Sequence, residues 1–172
     1  MKLNFGVGDH KLEGFVNTDI RQIPEADVVC DVFDLQEKLG FADGTIEEIY
    51  CGHFLEHLYI PKIQELLKLV VKWLQPGGTI WIVIPDFKKL FNLLVVEQNN
   101  YALYNKFVMG LPVDRQPTIA EFPYCHHTLM DDTFTLELAL EAGLDAQIVP
   151  ITEVPMSPDY IGWQSAVKGV KK

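Results

Sequence analysis

The sequence predicts an α/β protein built around a mainly parallel sheet. Three observations carry that expectation. Short apolar runs alternate with helical patterns along the chain, as an alternating strand–helix fold requires. The first three runs end on glycine or aspartate, at Gly6, Asp19 and Asp31. The run Thr79-Ile80-Trp81-Ile82-Val83-Ile84 is apolar almost throughout, as in a strand covered on both faces.

The elements follow in order. Leu3–Phe5 is a short strand closed by Gly6-Val7-Gly8, Phe15–Asp19 reads as a second and Asp27–Cys30 as a third. Ile46–Cys51 is the fourth. The clearest helix comes next: Pro61 suits its first turn, and Ile63, Leu66, Leu67, Val70, Val71 and Leu74 repeat at three- and four-residue steps. Pro76-Gly77-Gly78 ends it, and Thr79–Ile84 is the fifth strand, stopped by Pro85. A helix is expected after Asp86 and another from about Thr133 to Gly143, with late strands near Gln147–Ile151 and Gln164–Val170. Parallel neighbours normally need a crossover of a dozen or more residues. The stretches from Gly6 to Gly14 and from Ile20 to Ala26 are shorter, so these crossovers are expected to be reduced to loops or a single helical turn.

Composition narrows the function classes. With 172 residues, 48% hydrophobic and 22% charged, the chain fits one globular domain, 1–172. Its net charge of −10, with arginine only at Arg21 and Arg115, argues against a nucleic-acid partner, which needs clustered basic residues. Cys30, Cys51 and Cys125 are odd in number and lack CxxC spacing, so neither a disulfide framework nor a zinc ribbon is expected, and the cytoplasm is the default compartment. No run approaches the eighteen apolar residues of a membrane span.

The glycine-rich turn Gly6-Val7-Gly8 lets backbone approach a ligand closely. It is not the dinucleotide fingerprint, because Lys11 stands where the third glycine belongs, and no G-x-x-x-x-G-K-[ST] string occurs. Asp19 and Asp31 end strands at the carboxyl side, where open α/β sheets hold ligands, and a carboxylate there accepts both hydroxyls of a ribose. His53-Phe54-Leu55-Glu56-His57 spells H-x-x-E-H, a zinc-protease string that on a helix would set His53 and His57 on one face. No third ligand is assignable from the sequence, and no bound metal is expected. The aromatic residues Phe87, Phe91, Tyr101, Tyr104, Phe107, Phe122 and Tyr124 crowd residues 86–125, an insertion after the fifth strand expected to cover the substrate.

The series Leu3-Asn4-Phe5-Gly6-Val7-Gly8, Gly14–Asp19, Phe54-Leu55-Glu56-His57-Leu58, Trp73–Gly78 and Ile84-Pro85-Asp86 resembles the class I S-adenosylmethionine-dependent methyltransferases, in a compact branch with a short loop between its first two strands. His126, Phe134 and Leu140–Leu144 resemble that family's C-terminal ending. The resemblance implies a Rossmann-like, mostly parallel seven-stranded sheet with an antiparallel last strand. It implies S-adenosylmethionine as cofactor, S-adenosylhomocysteine as its product, and a small-molecule methyl acceptor. Gly6 and Gly8, with Asn4 and Phe5, would lie against the methionine and ribose portion. Asp19, next to Ile20, would hold the ribose hydroxyls, and Asp31 and Val32 the adenine edge. Cys51, Gly52 and His53 would line the sulfonium end. Where the family carries an acidic residue, this chain has Asn4. His126 and His57 are the candidate catalytic bases, needed where the acceptor must lose a proton. The alternative reading is a non-catalytic nucleoside-binding or assembly protein on the same fold. The short front crossovers further predict a homodimer over partly exposed Val16, Ile20, Val28 and Val32, unless the loops fold back and Leu12 and Ile23 shield the sheet.

Overall fold

A computed structural model describes residues 1–109, 125–155 and 162–172. Seven strands form one sheet: β1 (Lys2–Phe5), β2 (Val16–Asp19), β3 (Val28–Val29), β4 (Ile46–Gly52), β5 (Leu74–Pro85), β6 (Asp145–Val149) and β7 (Gln164–Val170). Their order across the sheet is β3-β2-β1-β4-β5-β7-β6. Pairings among the first five are parallel, and β7 runs antiparallel to both neighbours. The order reverses at β1, whose neighbours β2 and β4 are followed by connections leading to opposite sides. Such a switch point opens a crevice at the carboxyl ends of the strands.

The helices are α1 (Leu35–Leu39), α2 (Ile60–Trp73), α3 (Phe87–Leu90), α4 (Tyr101–Met109) and α5 (Asp132–Glu141). Pro61 lies in the first turn of α2, and Ile63, Leu66, Leu67, Val70 and Trp73 are its buried stripe. That stripe packs with Leu35, Leu138 and Ala139 against Leu3, Phe5, Ile49, Cys51, Ile80, Ile82 and Val167, forming the main core on one sheet face. Alternate strand residues point the other way. Tyr50, Trp81, Val83, Val149 and Ala166 form a second cluster, which loop residues Leu12 and Val154 close, with Phe15 and Ile151 packed beside them. Loops rather than helices thus cover this face among the described residues.

Polar side chains hold the reduced front crossovers in place. The Asn17 side chain accepts from the Leu12 amide at 2.8 Å and from Asn4 Nδ2 at 2.9 Å. Its own amide nitrogen donates to the Leu12 and Phe15 carbonyls and to Asp27 Oδ2. Asp27 also accepts from the Asn17 backbone amide and from Lys11 Nζ. A buried asparagine with every polar atom paired fixes the 6–15 loop without a helix.

Several expectations are adjusted. β3 is two residues, not four, and β6 starts at Asp145 rather than Gln147, because Gly143 (φ 101°) ends α5 early. Helix α1, absent from the sequence reading, is too short to show a periodic stripe. Val32 is not on an exposed edge: it opens a 3-10 turn and packs into the main core. Leu12 shields the sheet from the loop side, while Ile20 remains 59% exposed. After β5, α3 continues as a π-helix over Phe91–Glu97, then α4. Phe87, Tyr104 and Phe107 pack with Leu90, Leu94, Val108 and Trp163 into a small core of their own. Phe122 and Tyr124 lie outside the described residues. Among those described, no helix is long and apolar enough to cross a membrane.

Candidate functional site

Two adjoining cavities occupy the crevice at the ends of β1, β2 and β4. One, of about 310 Å³, is lined by Asn4, Val7, Gly8, Asp9, His10, Tyr50, Gly52 and Gln164. The other, of about 360 Å³, is lined by Thr18, Asp19, Ile20, Asp31, Val32, Phe33, Phe54 and His57. Gly6, Arg21 and His53 border both. Together they match the size of a site for an elongated small molecule.

Glycine is required at two points on the wall. Gly6 has φ 60°, and a Cβ there would stand 2.5 Å from the Phe54 ring. That ring in turn packs on Phe5, with centroids 6.0 Å apart. A Cβ at Gly52 would meet the Tyr50 ring at 2.5 Å. Chain and aromatic rings therefore approach closely where the two cavities join.

Asp19 ends β2 with its carboxylate 5% exposed as a residue. The Gly8 amide donates to Oδ2 at 3.1 Å and the Arg21 amide to Oδ1 at 2.9 Å. Arg21 also forks onto it through Nε and Nη2. Burial alone would raise the Asp19 carboxyl, but the Arg21 and Gly8 donors outweigh it and hold it below the usual carboxylate range. Asp19 is thus an anion at neutral pH on the wall of the second cavity, bonded to Gly8 of the first.

The other residues singled out in the sequence divide into two groups. Gly6, Gly8, Ile20, Asp31, Val32, Gly52, His53 and Asn4 all border the crevice. Asp31 additionally caps the 3-10 turn through the Phe33 amide, and the Asn4 amide nitrogen is spent on the His10 carbonyl and Asn17. Phe5 and Cys51 instead turn into the main core, and burial pushes the Cys51 thiol well up. Sequence reasoning missed Arg21, Phe54, Tyr50 and Gln164. Only Arg21, two residues beyond Asp19, carried a usable signal.

The histidines converge on one residue. Glu56 is 1% exposed, and neither carboxylate oxygen has a hydrogen-bond partner. His53 Nδ1 lies 3.4 Å and His126 Nε2 3.9 Å from its Oε1, and the His57 and His126 rings meet edge-on with centroids 4.8 Å apart. Burial works to raise the Glu56 carboxyl, while the surrounding His53, His57 and His126 draw it below its usual value. Burial lowers His126. The zinc-protease helix is absent: His53 has φ 51° and only Leu55–His57 form a 3-10 turn, so the histidines do not share a helical face. Of the two candidate bases, His57 borders the second cavity, whereas His126 lies behind it, its Nδ1 on the Val108 carbonyl.

Residues 13–82 match the family model of a methyltransferase domain. The sheet has the strand order 3-2-1-4-5-7-6 with β7 antiparallel to its neighbours. This is the class I methyltransferase fold. An S-adenosylmethionine-dependent methyltransferase from Archaeoglobus fulgidus superposes with a TM-score of 0.65 at 17% identity, over 99% of this chain and 85% of that one. A second, from Methanosarcina mazei, gives 0.60 at 14% identity, over 99% and 91%. The N1-methyltransferase of Burkholderia thailandensis that acts on 1,6-didemethyltoxoflavin, solved with S-adenosylhomocysteine bound, gives 0.58 at 14% identity, over 99% and 70%. A search of curated proteins finds no match. In this chain α1, α2 and α5 pack on one sheet face, and the Asn17-stapled loop forms the first crossover.

Proposed function

We propose that this protein binds S-adenosylmethionine in the crevice and transfers its methyl group to a small-molecule acceptor. The observation that carries the reading is Asp19: an ionised carboxylate at the end of β2, lining the second cavity and bonded to the glycine turn of the first. A carboxylate so placed accepts both hydroxyls of a ribose. Asp31 and Val32, one strand over, then flank the adenine in the second cavity, and Gly6 and Gly8 admit the ribose and amino-acid portion. The donor set fits the cofactor, which has no phosphate and so needs no long helix behind the glycine turn.

S-adenosylmethionine supplies an electrophilic methyl group on a sulfonium. The chain's own task is to align an acceptor with it, since positioning supplies most of the acceleration of such a displacement. Gly52, the last residue of β4, and His53 border the sulfonium end, and the α3–α4 insertion reaches them through Trp163, whose ring lies 5.6 Å from that of His53. His57 faces the same space and is the base for an acceptor that must lose a proton. His126, edge-on to His57, positions it.

Calorimetric titration with S-adenosylmethionine, S-adenosylhomocysteine, NAD and a UDP-sugar tests the reading. Selective binding of the first two, one per chain, supports it. Preference for NAD or the UDP-sugar overturns it.

A further inference from the structure

From the cluster around Glu56 we infer a divalent-cation site formed by Glu56, His57 and His126, with His53 supporting it. One ligand atom from each of the three lies within 4.8 Å of the others. The independent observation is Glu56 itself: 1% exposed, with no hydrogen bond to either carboxylate oxygen and only the His53 and His126 nitrogens, at 3.4 and 3.9 Å, facing its Oε1. An unpaired buried carboxylate is costly, and native structures supply such groups with a partner or an ion.

The protons on the histidines point the same way. His126 Nδ1 lies 3.1 Å from the Val108 carbonyl and His57 Nδ1 3.3 Å from the Cys125 carbonyl. A carbonyl oxygen only accepts, so in both neutral rings Nδ1 carries the hydrogen. Nε2 is left with its lone pair, and in His126 that atom faces Glu56. Backbone carbonyls holding the far nitrogens are the usual outer support of metal-binding histidines. The site thus gathers lone pairs and a carboxylate with too few protons between them.

His53 has a different place. Gln164 Nε2 sits 2.7 Å from His53 Nε2 and can only donate, so the His53 hydrogen is on Nδ1, toward Glu56. His53 therefore orients the carboxylate rather than competing for the ion. The backbone also fixes Glu56, whose carbonyl accepts from the His127 and Thr128 amides and so ties the segment from His126 to Thr128 onto the 3-10 turn.

Two imidazole nitrogens and one carboxylate suit zinc, manganese or another first-row divalent ion better than calcium. Bonds of about 2.1 Å in a tetrahedral site set ligand atoms roughly 3.4 Å apart, so binding draws the three side chains together by about an ångström. His57 borders the second cavity, which leaves open coordination positions toward the crevice. This arrangement differs from the helical zinc-protease site, and the proposal departs from the absence of metal expected from the sequence. Ion binding at this site stands whether or not the protein transfers methyl groups, and with its Nε2 lone pair on the ion His57 serves as a base only in the ion-free protein.

The test uses chelator-stripped full-length protein titrated with Zn²⁺, Mn²⁺ and Mg²⁺, followed by calorimetry and by thermal melting. Cobalt substitution adds a visible-region spectrum that reports nitrogen and oxygen ligation directly. Wild type is expected to bind one Zn²⁺ or Mn²⁺ per chain at micromolar or lower Kd and to melt at higher temperature when loaded. Glu56→Gln and His57→Asn are expected to weaken binding on the order of 100-fold and to abolish the melting shift, while His127→Ala keeps both. Lack of stoichiometric binding in wild type at 100 µM free ion, about a hundredfold above a micromolar Kd, overturns the proposal even if a variant misfolds. So does binding that survives in both folded variants.

Discussion

The Arg21 guanidinium lies across the Asp19 carboxylate, with Nε 2.9 Å from Oδ1 and Nη2 2.9 Å from Oδ2. The residue proposed to hold a ribose is therefore already engaged by a neighbour two positions along the chain. Arg21 is 43% exposed at its side chain and borders both cavities, so it can swing away without repacking the core.

A ligand diol must displace this fork. Asp19 is buried but Arg21 is partly in solvent, and solvent screening on the arginine side keeps the net worth of such a pair at about 1 kcal/mol. Arg21→Ala should accordingly tighten S-adenosylhomocysteine by up to about fivefold, measured by calorimetry. A weakening instead would make Arg21 a ligand of the cofactor rather than its competitor.

Gly6 meets two constraints at once, a left-handed backbone and the Phe54 ring at 2.5 Å from any added Cβ. Gly6→Ala should lower stability by roughly 1–3 kcal/mol, read from urea unfolding. Adding Phe54→Ala removes the clash but not the backbone strain, so the double variant should cost less than the sum of the two singles. Strict additivity would show that the ring does not press on this glycine.

Asp27 anchors the front loop through Lys11 and Asn17, and Lys11 above all holds its carboxyl at about 2. That is below the value of about 3.9 in an unfolded chain. A depressed folded value stabilises above the unfolded value and is lost as pH falls through the folded one. Between about pH 4 and pH 2 the wild type should therefore lose urea resistance more steeply than Asp27→Asn. The pair is solvent-exposed, so high salt should shrink the difference. Parallel pH curves for the two proteins would contradict this.

Much of this architecture was legible in the residues. The stripe Ile63-Leu66-Leu67-Val70 marked α2, and the unbroken apolar run Thr79–Ile84 marked β5, because both report burial through spacing along the chain. Asp19 was legible because it ends a strand. Asn17 was not: its role comes from partners 5 to 13 residues away that only the folded loop brings together. Glu56 was visible as part of H-x-x-E-H, but the string suggests a helix. Positive φ at His53 and the arrival of His126 from a segment about 70 residues later make a different cluster. Arg21 carried one signal, its place two residues beyond Asp19, but a charged loop residue normally faces water, and the fold shows this one turned back onto Asp19.

The central claim is that Asp19 anchors S-adenosylmethionine and its product. Equilibrium binding of S-adenosylhomocysteine to wild type and to Asp19→Ala, with circular dichroism showing both folded, tests it most directly. Hydrogen bonds to a charged acceptor are worth roughly 1.5–3 kcal/mol, so the variant should bind about tenfold or more weakly. Equal affinity in the two proteins would contradict the account.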